Sequence, residues 1–247
     1  MYEEDLIAFC DRELDLLGDI RGLDVLYAGG ASLLWIEGLS QRTGDAGTLT
    51  ALDADLERIE NCRRLFGGVD LVAPVRLVAG DVFEPPFSPG AFDLVYSAGL
   101  FHELDVSARS PEDALVSLAS VVRSGGRIAT SDFVDDYPAV QTEDEELQRE
   151  LAREASGTML YGVGLSARLV ALHKALLAEV RWRVSPPDPI RHLDKVVLAE
   201  EKPEELQGLP AGIRRRLRER REALRRRVWY EGYTRPATLY VEGLVGK

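Results

Sequence analysis

A chain of 247 residues can bury a full core, and doubly wound α/β domains reach this size as one unit, so a single domain with an appendage is expected. Acidic side chains from Glu3 to Glu13 argue against a secretory leader and no apolar run approaches a membrane span, which points to the cytoplasm; Cys10 and Cys62 are too few for a disulfide framework or a zinc site. The net charge of −12 divides into +7 over residues 211–247 and −19 over residues 1–210, so the body should repel nucleic acid.

In chain order, Leu6, Ile7, Cys10, Leu14 and Leu17 stand at helical spacing in a segment from Glu3 that Gly18 stops. The stretch from Val25 to Asp53 then reads as strand, glycine turn, helix, glycine turn and strand, a nucleotide-type βαβ unit. Its first strand, Leu23 to Ala28, is a short apolar run suited to burial on both faces of a parallel sheet. Gly29 and Gly30 allow a tight turn and close backbone approach to a ligand, and Leu33, Leu34, Ile36 and Leu39 give the next helix an apolar face. Thr48 to Leu52 is the second strand with Asp53 at its tip, where a carboxylate can accept from both hydroxyls of a ribose. No third glycine follows Gly29-Gly30-Ala31-Ser32-Leu33-Leu34, which argues against a cofactor bearing a diphosphate.

Asp55 caps a helix to about Phe66, Val75 to Ala79 is a third strand ending in Gly80-Asp81-Val82, and Phe92 to Ser97 is the fourth. Ser110-Pro111-Glu112-Asp113 starts a helix that runs to Arg123 and stops at Ser124-Gly125-Gly126, and Arg127 to Phe133 is the fifth strand. This alternation predicts a parallel sheet with helices on both faces. Beyond it come an acidic helix from Thr142 to Ala155, a glycine-rich hinge from Gly157 to Gly164, a helix from Ser166, a sixth strand from Glu179 to Val184 and a last strand from Thr238 to Val245, with no second core visible. In the Arg-rich stretch from Arg214 to Arg227, Ile213, Leu217, Leu224 and Val228 form a narrow apolar stripe. It predicts an amphipathic helix docked within the protein or on a second copy, opposite the acidic helix bearing Glu143, Asp144, Glu145, Glu146, Glu150 and Glu154.

Position for position, Tyr27 to Leu33 resembles the D-x-G-x-G-x-G motif of class I S-adenosylmethionine-dependent methyltransferases, and the resemblance covers roughly residues 20 to 185. Gly29 is retained, whereas Tyr27 stands where the family usually has Asp or Glu, Ala31 at the second glycine and Leu33 at the third. The resemblance implies one domain with a doubly wound, mostly parallel seven-stranded sheet and helices on both faces. Residues 1–20 would be its N-terminal helix, 134–165 a lid and 186–236 a helical insertion before the last strand. It implies S-adenosylmethionine as donor, held by Ala28, Gly29, Gly30 and Ala31 at the first turn, Asp53 and Ala54 beside the ribose, Asp81 and Val82 beside the adenine, and Ser97 at the end of the fourth strand.

Methyl transfer from a sulfonium is an in-line displacement that needs alignment and exclusion of water, with a base only for a protonated nucleophile. His102 follows the fourth strand at the edge where open α/β sheets bind ligands and is the candidate base, the plainer alternative being that it shapes the pocket. His173 and His192 are assigned structural or surface roles. Asp132, Asp135 and Asp136 offer hard oxygen ligands, yet no Asp or Asn at the end of the fourth strand joins them, and no metal is expected. The expected function is methyl transfer to a small-molecule acceptor, with no membrane partner and with a homodimer compatible. The alternatives are a non-catalytic relative with weakened or lost cofactor binding and a methyltransferase that reaches RNA through the Arg-rich helix.

Overall fold

The computed structural model describes residues 4–106, 110–134, 139–156, 166–189, 206, 208–235 and 237–246. The first half runs α1 (Glu4–Asp15), β1 (Asp24–Ala28), α2 (Leu33–Thr43), β2 (Thr48–Asp53), α3 (Leu56–Leu65), β3 (Val75–Ala79), β4 (Phe92–Ala98) and α4 (Leu100–Val106). The second half runs α5 (Pro111–Ser120), β5 (Val122–Phe133), α6 (Ala139–Ser156), α7 (Ser166–Leu176), β6 (Ala178–Ser185), β7 (Asp188–Pro189), α8 (Ala211–Glu231), β8 (Thr234–Arg235) and β9 (Thr238–Leu244). Two helix starts follow their caps. Asp55 Oδ1 accepts from the amides of Glu57 and Arg58 to begin α3, and Ser110 Oγ accepts from the Asp113 amide to begin α5.

The main sheet has seven strands in the order β3-β2-β1-β4-β5-β9-β6. β3, β2, β1, β4 and β5 are mutually parallel, and β9 is antiparallel to both of its neighbours. The alternation of side chains along each strand divides the core between the two faces. Leu26, Ala28, Leu52, Val95 and Ile128 pack with α4, α5 and α7, while Val25, Tyr27, Leu49, Ala51, Leu94 and Tyr96 pack with α1, α2 and α3. α1 approaches α2 closely because position 38 is glycine: a Cβ there would stand 2.6 Å from Leu14 Cδ1. Arg42 ties the two helices by bonding Asp11 and Asp15.

Three elements depart from the sequence expectation. α4 forms where no helix was expected, its Leu100, Phe101 and Leu104 buried at helical spacing. β5 begins at Val122 and continues through Ser124-Gly125-Gly126, with a register irregularity opposite Phe92 to Leu94 and Gly125 at φ +77°. A third apolar cluster, separate from the two faces of the sheet, joins α6 and α8 through Val140, Leu147, Leu217, Leu224, Val228 and Tyr233, so the expectation of a single core does not hold. The predicted pairing of the acidic and Arg-rich helices is intramolecular: Arg216 and Arg220 meet Glu150, Arg227 meets Glu143, and the Tyr233 hydroxyl donates to Asp144 at 2.6 Å.

β5 and β6 both end at the carboxyl edge of the parallel strands and β9 begins there. α6 follows β5 and α8 lies between β6 and β9, so the helical pair belongs to that edge. No helix among the described residues is long and apolar enough to cross a membrane.

Candidate active site

The turn after β1 is pinned from three sides. Gly29 takes φ +70°, a conformation that glycine adopts without strain. The Gly30 amide donates to the Leu52 carbonyl at 3.0 Å and the Ala31 amide to Asp53 Oδ2 at 3.1 Å. From α3, the Cys62 thiol donates to the Ala31 carbonyl at 3.1 Å. Asp53 Oδ1 accepts from the Asp55 amide at 2.8 Å, so each oxygen holds one backbone amide and keeps a second acceptor position.

Tyr27 explains why Gly30 is glycine. Its ring is buried, stacks on Tyr96 with centroids 6.1 Å apart, and lies against the turn so closely that a Cβ on Gly30 would be 2.1 Å from ring atom Cδ1. Burial pushes both phenols well above the usual tyrosine range, so Tyr27 fills the position of the family's acid as a neutral group. On the other side of the turn Leu100 packs on Gly29, where a Cβ would stand 2.7 Å from Leu100 Cδ1. Leu33 is partly buried against the α1 and α2 cluster.

Two cavities open along this edge. The first, about 450 Å³, runs past Gly29, Ala31, Ser32, Leu33 and Arg58. The second, about 310 Å³, is walled by Phe9, Glu13, Ser131, Asp132, Phe133 and Thr238. Trp35, Ala98 and Glu103 line both, so the two spaces meet at those side chains. Across the first cavity Arg58 Nη1 stands 3.8 Å from the Glu103 carboxylate. In the second, the hydroxyls of Ser131 and Thr238 donate to Glu13 at 2.7 and 2.8 Å.

The structure gathers most of the residues singled out from sequence. Gly29 and Ala31 line the first cavity, Gly30 and Asp53 stand directly behind that turn, and Ala54 is exposed beyond Asp53. Asp81 accepts the Phe83 amide at 3.0 Å beside buried Val82, on the neighbouring strand end. Ser97 is a correction: its hydroxyl points inward and donates to Thr130 Oγ1 at 3.3 Å, and the next residue, Ala98, reaches the cavities instead because strand side chains alternate. Ala28 is likewise fully buried. His102 lies on α4, its side chain outside the described residues, as are Asp135, Asp136 and His192 entirely.

Glu13, Trp35 and Glu103 were not foreseen. Glu13 carried a usable signal, an acid on the apolar face of α1 between Cys10 and Leu17. His173 is structural, as expected, though buried: Nδ1–H donates to the Leu169 carbonyl at 2.8 Å, which leaves Nε2 to accept from Thr130 Oγ1 at 3.1 Å. Burial pushes its pKa down to about 4 and keeps the ring neutral.

The fold, with its turn, acidic strand tip and edge cavities, defines a class I methyltransferase architecture. Residues 23–130 match the family model of a methyltransferase domain. Among solved structures, the YcgJ protein from Bacillus subtilis superposes with TM-score 0.61 at 17% identity over 97% of this chain and 99% of its own. A SAM dependent methyltransferase from Aquifex aeolicus gives TM-score 0.52 at 17% identity over 77% and 94%. Phosphoethanolamine N-methyltransferase 2 of Haemonchus contortus, solved with phosphomonomethylethanolamine and S-adenosylhomocysteine, gives TM-score 0.60 at 11% identity over 97% and 53%. No curated protein sequence matches significantly. The chain shares the fold of these methyltransferases, and the same Haemonchus contortus enzyme was also solved with the methyl donor S-adenosyl-L-methionine. The residues present suit that donor, since a ribose diol needs two acceptors and both oxygens of Asp53 retain one.

Proposed function

We propose that this methyltransferase acts on a small molecule held in the cavity between α1 and the ends of β4, β5 and β9. The observation that carries this is the meeting of a cavity of about 310 Å³ with the donor-side cavity at Trp35, Ala98 and Glu103. A space of that size is at the lower end for small-molecule sites. Gly29, Gly30, Ala31, Asp53 and Ala54 would hold the donor's methionine and ribose portions, and Asp81 and Val82 its adenine. When bound, the donor supplies a methyl group activated by a sulfonium. The chain's own contribution is to align the acceptor, exclude water through Phe9, Trp35 and Phe133, and place proton acceptors on α4, where His102 and Glu103 are adjacent.

We assign α6 and α8 to a cap over the acceptor cavity, since both helices leave the edge on which it opens. The pairing of Arg216, Arg220 and Arg227 with carboxylates of α6 and α8 supports an internal role for the Arg-rich helix over one in binding a polyanion. The test is transfer from methyl-labelled S-adenosylmethionine in a whole metabolite and macromolecule extract. Label in the small-molecule fraction is expected; label confined to RNA or protein would overturn the proposal.

A further inference from the structure

We propose that the acceptor is a small amine, bound as its ammonium against Glu13 and Asp132 and methylated on nitrogen. This rests on the assignment of the second cavity as the acceptor site. Glu13 and Asp132 are each only 2% exposed and both line that cavity. Glu13 receives two neutral hydroxyls, from Ser131 and Thr238, and no cation pairs with it among the described residues. A carboxylate so deeply buried is normally matched by a positive charge, because hydroxyl donors replace only part of the hydration it has lost. The cavity in front of it is where that charge can enter.

The remaining walls point to the same ligand chemistry. Phe9, Trp35 and Phe133 surround the space, and aromatic faces attract cations through their quadrupole. Phe9 and Trp35 meet edge to face at 6.3 Å, which fixes two of these walls relative to one another. Glu103 adds a third carboxylate where the cavity meets the donor side, and Arg58, which lines the first cavity but not the second, stands 3.8 Å from it. An anionic acceptor would face three carboxylates here, and a neutral one would leave Glu13 uncompensated.

The chemistry balances with the groups present. The bound ammonium gives one proton to the Glu103 carboxylate, which exposes the nitrogen lone pair. That pair forms the new N–C bond to the donor methyl as the C–S bond breaks, its electrons passing to sulfur. The products are an N-methylammonium and the neutral thioether S-adenosylhomocysteine, and Glu103 releases its proton to water.

Tetramethylammonium, tert-butanol and acetate, which are of similar size and cationic, neutral and anionic, separate the possibilities when titrated calorimetrically into protein saturated with S-adenosylhomocysteine. Tetramethylammonium is expected to bind at least tenfold more tightly than the other two, and Glu13→Gln to weaken it at least tenfold with an unchanged Kd for S-adenosylhomocysteine. Asp132→Asn, read alongside circular dichroism, repeats the test should Glu13→Gln fail to fold. Equal or absent binding of the three probes would overturn the proposal. So would a tenfold loss of S-adenosylhomocysteine affinity in Glu13→Gln, which would assign that carboxylate to the donor's own ammonium. Failure of S-adenosylhomocysteine to bind the parent protein would instead refute the donor assignment on which the titration depends.

Discussion

Replacing Asp53 with alanine should damage the protein twice, once in the empty fold and once in donor binding. In the empty protein Asp53 Oδ2 is the acceptor for the Ala31 amide and Oδ1 for the Asp55 amide. Asp55 is exposed, so water can replace the second bond, but the Ala31 amide lies in a half-buried turn over the ring of Tyr27. One unsatisfied donor costs about 1 to 3 kcal/mol. For a chain of this size each kcal/mol lowers Tm by roughly 2 to 4 °C, so a fall of about 2 to 12 °C is expected. Loss of the diol acceptors adds a comparable term to donor binding, which weakens Kd by roughly tenfold or more. Asp53→Asn keeps one oxygen acceptor and should fall between. Calorimetric titration with S-adenosylhomocysteine and thermal melting of the empty protein read the two effects separately. An unchanged Tm would refute the loop-pinning role, and an unchanged Kd in folded protein would remove Asp53 from the donor site.

Gly30→Ala should cost about 1 to 3 kcal/mol of overpacking, as a methyl 2.1 Å from the Tyr27 ring cannot be accommodated without movement, and Tyr27→Val should recover part of that loss in the double variant; additive urea-denaturation energies would count against this contact. His173 should make the fold sensitive to acid: the unfolded imidazole takes its proton near pH 6.5 and the folded one only near 4, so stability is complete above 6.5 and falls as pH drops through that window, by up to about 3 kcal/mol. His173→Asn should lack that component, and identical pH profiles for the two proteins would refute it. Leu217→Ser with Leu224→Ser, at positions 3% and 1% exposed, should melt the α6–α8 pair at lower temperature and lower activity, whereas charge reversal of exposed Arg215 and Arg226 should do much less; the reverse ranking would show that charge holds the pair together.

The sheet was legible because its parallel strands are apolar runs closed by turn signals and α3 and α5 carry their own caps, so the β and α alternation survived without tertiary information. Asp53 stood out for the same reason, as the carboxylate at the tip of a strand. The complementarity of α6 and α8 could be read from charge and stripe spacing, though their separation from the sheet core could not, because two amphipathic helices look alike whether they pack on a sheet or on each other. Ser97 was misplaced by the parity of its strand, where a single step decides whether a side chain enters the core or the cavity. Glu13 was overlooked because an acid within a helical heptad is usually on the solvent side, and only the hydroxyls of Ser131 and Thr238, more than a hundred residues away, make its burial tolerable. α4 is short, and seven residues carry too little periodicity to separate a helix from a loop.

The central claim is that the turn from Gly29 to Ala31, with Asp53 behind it and Tyr27 in place of an acid, forms a working donor site. Isothermal titration of S-adenosylmethionine and S-adenosylhomocysteine into the parent protein tests this most directly. Saturable binding of both in the micromolar range is predicted, whereas no heat from either ligand at millimolar concentration would contradict it.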